Sequence, residues 1–384
     1  MRPGPIAVLS CRARPTSHTY CPAWRTTALE SIVVNPEQIV VGVDTHKWEH
    51  VAVAVNGLGR RLDELTTPAT PTGYQAMLEW AQRIGAVAAF GIEGTGSYGS
   101  GLARFLRRMG HVIVEVSRPP RKGERRLSGK SDPIDAEHAG RAVLAGKATV
   151  TPKLSEGAVE TIRLVKIARD SAVRSQSQAM ITLKSVLVTA PDELRQQLEA
   201  LSDFKLVIAC ADLVGSCGAD ASSAVRHVLG VLARRWLQLH DEVKTHTRAL
   251  RDLTKQVAPG LVAAFGIGPD IAGELLVTAG SNSSRIRSEA ALAKLCGACP
   301  IPASSGTVKR HRLNRGGNRQ ANAALYRAIV VRMRWHAPTV AYVQRRTAEG
   351  LSKREVIRCL KRFLVREVYR LLPSTAPALA VQVA

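Results

Sequence analysis

The stretch IVVGVDTHKWEHVAVAV, residues 39–55, contains two β-branched runs on either side of a short polar segment. This pattern predicts a β-hairpin whose first strand ends at Asp44. A third strand is expected near residues 59–66, and helical periodicity follows at about residues 72–84. The apolar run AVAAFGIE then predicts a further strand, which ends at Glu93.

Two more elements follow along the chain. The run SYGSGLARFLRRMG predicts a helix closed by Gly110, and HVIVEV, residues 111–116, predicts another strand. Three strands followed by helix, strand, helix and strand is the order of a ribonuclease-H-like α/β fold. We therefore predict a domain of this type over residues 37–150.

Four acidic residues lie where such a fold could bring them together: Asp44, Glu93, Asp132 and Asp135. The first and fourth strands end side by side, and two aspartates three positions apart share one face of a helix. Close carboxylates repel one another unless a divalent cation compensates them, and oxygen ligands suit Mg²⁺ or Mn²⁺. The acids therefore predict a metal site that could act on a phosphodiester. Taken alone, Asp132 and Asp135 beside Pro133 favour ordinary helix capping, and only together with Asp44 and Glu93 do they favour a metal site.

The chain is strongly basic, with 54 Lys and Arg against 31 Asp and Glu and a formal net charge of +23. Such an excess favours binding to nucleic acid, with a ribosomal or RNA-packaging protein as the plain alternative. Two basic runs supply candidate nucleic-acid-binding residues: Arg118, Arg121, Lys122, Arg125, Arg126 and Lys130 in the first, and Lys309, Arg310, Arg312, Arg315 and Arg319 in the second.

Residues 151–260 have the pattern of long helices. Apolar residues from Val225 to Val257 alternate at spacings of four and three, with His246 as the single polar interruption. This heptad pattern predicts a coiled coil, and hence a homo-oligomer, a dimer or a tetramer. The alternative is a hairpin within one chain, with residues 159–187 as the partner helix.

Residues 261–372 form a third, mostly helical region. FGIGPDIAGELLVTAG, residues 265–280, suggests a helix–hairpin–helix element that offers helix N-terminal amides to a phosphate. The last helix, residues 351–372, has an apolar face opposite a basic one, typical of either a solvated surface helix or one that follows a phosphate backbone.

The remaining segments add less. Residues 1–36 are expected to be a disordered or spurious arm, and residues 373–384 a tail. No apolar run of about 18 residues predicts a membrane span. The scattered cysteines fit a reduced, cytoplasmic protein.

Seven motifs in order resemble the insertion-sequence one-ten family of transposases: VGVDTHK, GIEGTGSYG, KSDPIDAEHAGR, GIGPDIAGELL, CGACPIPASSG, LNRGGNRQANAAL and RRTAEGLSKREVIRCLKRFLVREVY. They span roughly residues 40–372. The segment at 313–315 differs, because LNR stands where the family usually has Ile-Ser-Lys.

The resemblance implies an enzyme with a RuvC-like domain whose DEDD tetrad is Asp44, Glu93, Asp132 and Asp135. It implies that Ser305 is the nucleophile that attacks DNA, with Ser304 as the less favoured choice. It also implies one composite site formed by tetrad and serine, in one subunit or shared between subunits. The implied partners are the DNA of the element ends and target, and a structured guide RNA encoded by the element.

Three other interpretations stay open. A RuvC-like nuclease or junction resolvase would need the tetrad but not Ser305. An inactive transposase remnant would still bind nucleic acid. A ribosomal or packaging protein would need no acids at strand ends.

Overall fold

The computed structural model describes residues 35–117, 131–213, 220–304 and 311–373. The chain divides into two compact units, Met1–Pro152 and Lys153–Ala384, referred to below as unit 1 and unit 2. The predicted N-terminal arm, except for its last two residues, and most of the predicted tail lie outside the described residues.

Unit 1 is built on a five-stranded sheet in the order β3-β2-β1-β4-β5. Its elements, in chain order, are β1 (Gln38–Thr45), β2 (Glu49–Asn56), β3 (Arg61–Pro68), α1 (Pro71–Ile84), β4 (Ala86–Glu93), α2 (Ser100–Arg108), β5 (Ile113–Val116) and α3 (Asp132–Leu144). The first three strands are antiparallel, whereas β1–β4 and β4–β5 are parallel. The predicted order of elements is confirmed, and it is consistent with a ribonuclease-H-like domain.

Helices cover both faces of this sheet. Strand residues such as Val41, Val43 and Ile92 pack with α1 and α2 in one core. Their neighbours Val40 and Ala89 face the other way and pack against α3. This alternation explains why β1 is apolar at consecutive positions, since both of its faces are buried.

Helix α3 lies unusually close to the sheet. A Cβ atom on Gly42 would lie 1.9 Å from the carbonyl oxygen of Ala136, and one on Gly91 would lie 2.7 Å from a methyl group of Val143. Only glycine leaves room for such an approach. The two strands that carry Asp44 and Glu93 near their ends therefore lie directly against α3.

Unit 2 is mostly helical. Its helices are α4 (Gly157–Val188), α5 (Asp192–Glu199), α6 (Asp203–Ala211), α7 (Ala221–Val257), α8 (Pro259–Ala263), α9 (Pro269–Ala279), α10 (Glu289–Leu295), α11 (Arg319–Trp335), α12 (Ala337–Ala348) and α13 (Lys353–Leu371). The short antiparallel strands β6 (Pro300–Pro302) and β7 (His311–Leu313) precede α11. Within the described ranges, no helix has the length and apolarity that crossing a membrane requires.

The heptad pattern lies on α7, and α4 of the same chain packs along it. The Arg169 guanidinium donates to the Thr247 hydroxyl at 2.9 Å, and Gln176 lies 3.2 Å from a ring nitrogen of His240, so the two helices run antiparallel. This is the intramolecular hairpin that the sequence left as the alternative. Self-association through the same region stays a prediction.

The base of this helical pair belongs to the C-terminal core. Ile162 of α4 and Leu250 of α7 are fully buried with residues of α9, α11 and α13. The predicted boundary at residue 260 therefore falls inside one compact unit. At the other end of the pair, Leu183 and Leu229 share a separate core with α5 and α6.

A buried ion cluster joins α4 to α9. The Lys166 ammonium lies 3.0 Å from Asp170, 2.8 Å from Asp270 and 3.4 Å from Glu274. Burial favours the neutral form of Lys166, but its hydrogen bonds with Asp270 and Asp170 outweigh burial and raise its pKa. Asp270 occupies the first turn of α9, where the helix–hairpin–helix prediction places a phosphate.

Replacing Gly42 with alanine should destabilise unit 1 by about 3 kcal/mol, because backbone atoms of α3 would have to move away from the sheet. Chemical unfolding followed by circular dichroism measures this loss. Gly96→Ala is the matched control, since nothing lies within 4 Å of a Cβ atom at Gly96. Equal stability of the two variants would contradict the close approach.

Lys166→Met should destabilise unit 2 by about 3 kcal/mol, because the buried carboxylate of Glu274 loses the cation that it contacts. Asp270 keeps its ion pairs with Arg169 and Arg327. Lys184→Met, on the same helix, removes an ion pair with Asp203 whose lysine side chain is 50% exposed. That control should cost less than about 1 kcal/mol in urea unfolding. A Lys166 variant as stable as the control would show that the cluster contributes little.

Candidate metal centre

The ends of β1 and β4 position two of the acidic residues. Asp44 is the residue before the last in β1, and its side chain is only 13% exposed. Because Val43 pairs with Ile92 in the parallel register, the next residues, Asp44 and Glu93, emerge at the same edge of the sheet. The Thr45 hydroxyl donates to the Glu93 carbonyl oxygen at 2.8 Å and ties the two strand ends together.

The first turn of α3 brings the other two acids to this edge. Asp132 and Asp135 both lie in that turn, with Pro133 between them. The charges of both aspartates act on Asp44. The structure thus places Asp44 near both aspartates, and it places Glu93 beside Asp44 through the strand register.

A histidine that the sequence analysis did not single out completes the cluster. His46 Nε2 lies 3.1 Å from an Asp44 carboxylate oxygen and 3.5 Å from one of Asp132. Asp44, His46 and Asp132 each offer a ligand atom, and these atoms all lie within 4.8 Å of one another. The signal was present in VGVDTHK, where His46 follows Asp44 by two residues at the strand end.

The electrostatics of the cluster suit a cation. Burial raises the pKa of Asp44 above 3.8, the nearby His46 opposes this rise, and the negative charges of Asp132 and Asp135 add to it. A divalent cation would remove this penalty on the charged form of Asp44. Carboxylates suit Mg²⁺ or Mn²⁺, and an imidazole ligand is better tolerated by Mn²⁺ than by Mg²⁺. The residues present therefore fit a divalent metal.

The candidate nucleophile and much of the basic surface lie outside the described residues. These are Ser305, Arg118, Arg121, Lys122, Arg125, Arg126, Lys130, Lys309 and Arg310. Of the remaining candidates, Ser304 is exposed just after β6, Arg312 lies on β7, and Arg315 and Arg319 are exposed before and at the start of α11. All four belong to unit 2.

Comparison with known families gives two matches. A family model for the DEDD domain of IS110 transposases, described as Transposase, matches residues 41–190. This segment contains the four acidic residues. A second, described as Transposase IS116/IS110/IS902 family, matches residues 261–344, which contain Ser304 and Ser305. No curated protein sequence matches the chain.

Asp44→Asn should stabilise metal-free unit 1 at neutral pH. The pKa of Asp44 is raised in the folded state, so its ionisation destabilises that state as the pH rises from 3.8 through the folded pKa. The gain in Tm should therefore be full at neutral pH and vanish in acid. Excess Mg²⁺ or Mn²⁺ should raise the Tm of the wild type but not that of the variant.

Thermal unfolding with and without metal measures both effects. Glu37→Gln, at an exposed acid of the same unit, is the control, and it should respond to metal as the wild type does. Equal stabilisation of Asp44→Asn by metal would remove Asp44 from the site.

Proposed function

Because the chain belongs to the IS116/IS110/IS902 family of transposases, and is thus an enzyme of DNA strand transfer, we propose that it cuts and rejoins DNA through a serine nucleophile with the help of a divalent metal. The observation that carries the metal part is the convergence of Asp44, His46 and Asp132 at the end of β1. The serine part rests on the family motif around Ser305.

The metal would be held by Asp44, Glu93, Asp132 and Asp135, with His46 as a further donor. When bound, Mg²⁺ or Mn²⁺ would stabilise negative charge on the oxygens of the reacting phosphodiester. Without metal, His46 Nε2 can hydrogen-bond to the Asp44 carboxylate at 3.1 Å and orient it, and this nitrogen would give up that bond to act as a metal donor. The close approach of α3 holds Asp132 and Asp135 at the same edge of the sheet.

The chemistry proposed for Ser305 is a phosphoryl transfer in two steps. Its hydroxyl oxygen attacks the DNA phosphorus, the serine proton is lost to a base, and the bond from phosphorus to one sugar oxygen breaks. The departing sugar oxygen takes up a proton. A sugar hydroxyl of a second strand then loses its proton and attacks the phosphorus of the phosphoserine. The bond from phosphorus to the serine oxygen breaks and the serine takes back a proton, so strands are exchanged and the serine is regenerated. Neighbouring arginines would offset the charge that builds up on phosphorus.

The partners are proposed to be the DNA of the element ends and target, and a structured guide RNA encoded by the element. The basic composition supports a nucleic-acid partner. The α4–α7 pair supports self-association into a dimer or tetramer, because the middle of α7 keeps partly exposed apolar residues such as Trp236 and Leu239. The helix–hairpin–helix role of residues 265–280 and a cytoplasmic location are part of the same proposal.

A plain metal-dependent nuclease or junction resolvase is the second candidate. The acidic cluster of unit 1 favours it, because that cluster alone contains what a metal nuclease requires. An inactive remnant that still binds nucleic acid is the third.

Incubation with the element's RNA, junction DNA and Mg²⁺, followed by a denaturing gel, separates these candidates. A covalent protein–DNA adduct should form, and Ser305→Ala should abolish it by removing the attacking oxygen. Ser304→Ala is the matched control and should retain the adduct. Asp132→Asn should lower adduct formation by at least about 100-fold, as expected for loss of transition-state charge stabilisation.

Other outcomes contradict the proposal in different ways. Cleaved DNA without adduct, unaffected by Ser305→Ala but lost with Asp132→Asn, would identify a metal nuclease. Adduct lost with Ser304→Ala alone would move the nucleophile by one residue. Binding without any cleavage in the wild type would identify a remnant.

A further inference from the structure

Unit 2 contains a cavity of about 960 Å³ that the proposed chemistry does not yet use. Helices α12 and α13 form two of its walls, and the hairpin of β6 and β7 forms another through Pro300, His311 and Arg312. These two strands flank Ser305 in the sequence. The cavity therefore lies next to β6 and β7, and the proposed nucleophile comes between these two strands in the sequence.

Positive charge dominates the lining of this cavity. Seven cationic side chains line it, namely Arg312, Arg345, Arg346, Arg358, Lys361, Arg362 and Arg366. The described acidic lining is Glu355 alone, while Glu349 pairs with Arg345 and Arg346 from outside, and Glu289 pairs with Arg362 and Arg366. The cations outnumber these acids by more than two to one, so the cavity attracts an anion.

The arginines of α13 are arranged as a row. Arg358, Arg362 and Arg366 follow one another at intervals of four residues and so share one face of the helix. The opposite face carries the buried residues Val356, Leu360, Leu364, Val365 and Val368. The row spans just over two turns of α13 and presents a charge about every 6 Å along the helix axis, an arrangement that can follow successive phosphates of one strand.

Two buried hydrogen-bond donors in this lining lack partners. The Nε of Arg346 and one terminal nitrogen of Arg362 are shielded from solvent without an acceptor among the described atoms. A buried donor without an acceptor costs free energy, and guanidinium groups pair well with phosphate oxygens. The two arginines are therefore suited to a phosphate that enters the cavity.

Aromatic rings accompany the cations. Tyr342 and Phe363 line the cavity with their ring centroids 5.5 Å apart, and Phe363 is 48% exposed. Arg345 lies over the first ring and Arg366 over the second. A groove that combines phosphate-binding cations with aromatic faces is typical of sites for single strands, whose unpaired bases can stack.

We propose that this cavity binds a single-stranded stretch of DNA and leads it toward the paired strands β6 and β7, which flank Ser305 in the sequence. The single-strand part rests on the lining itself, whereas the choice of DNA over RNA rests on the proposed serine chemistry. The arginine row would contact consecutive phosphates, and the exposed ring of Phe363 would stack on a base.

Fluorescence anisotropy with the full chain tests this proposal, using a labelled single-stranded DNA, its duplex and an RNA of the same sequence. The Arg345→Gln/Arg358→Gln double variant should weaken single-stranded DNA binding about tenfold. The slope of log affinity against log salt should fall by about 1.4 for the two lost phosphate contacts. Both side chains are about half exposed or more, 66% and 49%, so the variant should keep the wild-type Tm.

The matched control is Arg354→Gln/Arg370→Gln, two arginines of α13 that do not line the cavity. It should bind as the wild type does. Arg345→Lys/Arg358→Lys should restore part of the affinity, since it retains the charge. Photo-crosslinking of a 4-thiothymidine strand to the wild type should label peptides from α12 or α13.

Three results would overturn the proposal: unchanged binding of single-stranded DNA, an effect limited to RNA or to the duplex, or crosslinks confined to other helices. These readouts do not require strand transfer. Arginine-dependent binding together with an adduct that survives Ser305→Ala would keep the DNA site and reject the serine mechanism instead. If instead the arginine variants bind single-stranded DNA as the wild type does while the adduct still requires Ser305, the serine mechanism is kept and the DNA site in this cavity is rejected.

Discussion

The geometry of unit 1 depends on one steric constraint, the contact between the backbone of α3 and the backbone of the central strands. At Gly42 and Gly91 no side chain separates the strands β1 and β4 from the helix. The first turn of α3 is thereby held at the edge where Asp44 and Glu93 emerge. Since the constraint is one of excluded volume, it is insensitive to the charge of the acids, which repel one another when no cation is bound.

Most of unit 1 follows from its sequence for physical reasons that operate locally. Alternating and β-branched runs define the strands, and the parallel pairing of β1 with β4 places Asp44 beside Glu93. The contribution of His46 could not be recognised in this way. Whether a histidine directly after a strand turns back toward an aspartate depends on the tight connection to β2, where the His46 amide donates to the Glu49 carbonyl oxygen. Its role in metal binding is a proposal that the pattern of acids alone would not have suggested.

Unit 2 shows where a pattern defines an element but not its partner. The heptad spacing of Val225 to Val257 predicts one long helix with an apolar stripe, and α7 is that helix. A stripe carries no information about which helix covers it, and here α4 of the same chain does so. The ends of the pair are well buried, at Leu229 and Leu250, whereas the stripe between them stays partly exposed. The two helices can therefore form a hairpin within one chain and still leave an apolar surface on which a second copy of the chain can pack.

The apolar stripe of α7 does not reveal which helix covers it, and in the same way the basic face of α13 does not reveal what binds to its charges. From the sequence, a solvated helix and a phosphate-binding helix are equivalent, because both place arginines opposite a buried stripe. Solvation alone would leave those arginines extended into water with all donors hydrated. Instead Arg362 of α13, like Arg346 of the adjacent helix α12, has a donor that is buried and unpaired, and the arginine row lines a cavity that also contains aromatic rings. Each of these guanidinium groups has a carboxylate partner at another nitrogen, but a buried N–H without an acceptor is still unfavourable. The two unpaired nitrogens therefore favour an anionic ligand over water as the reason for the charge.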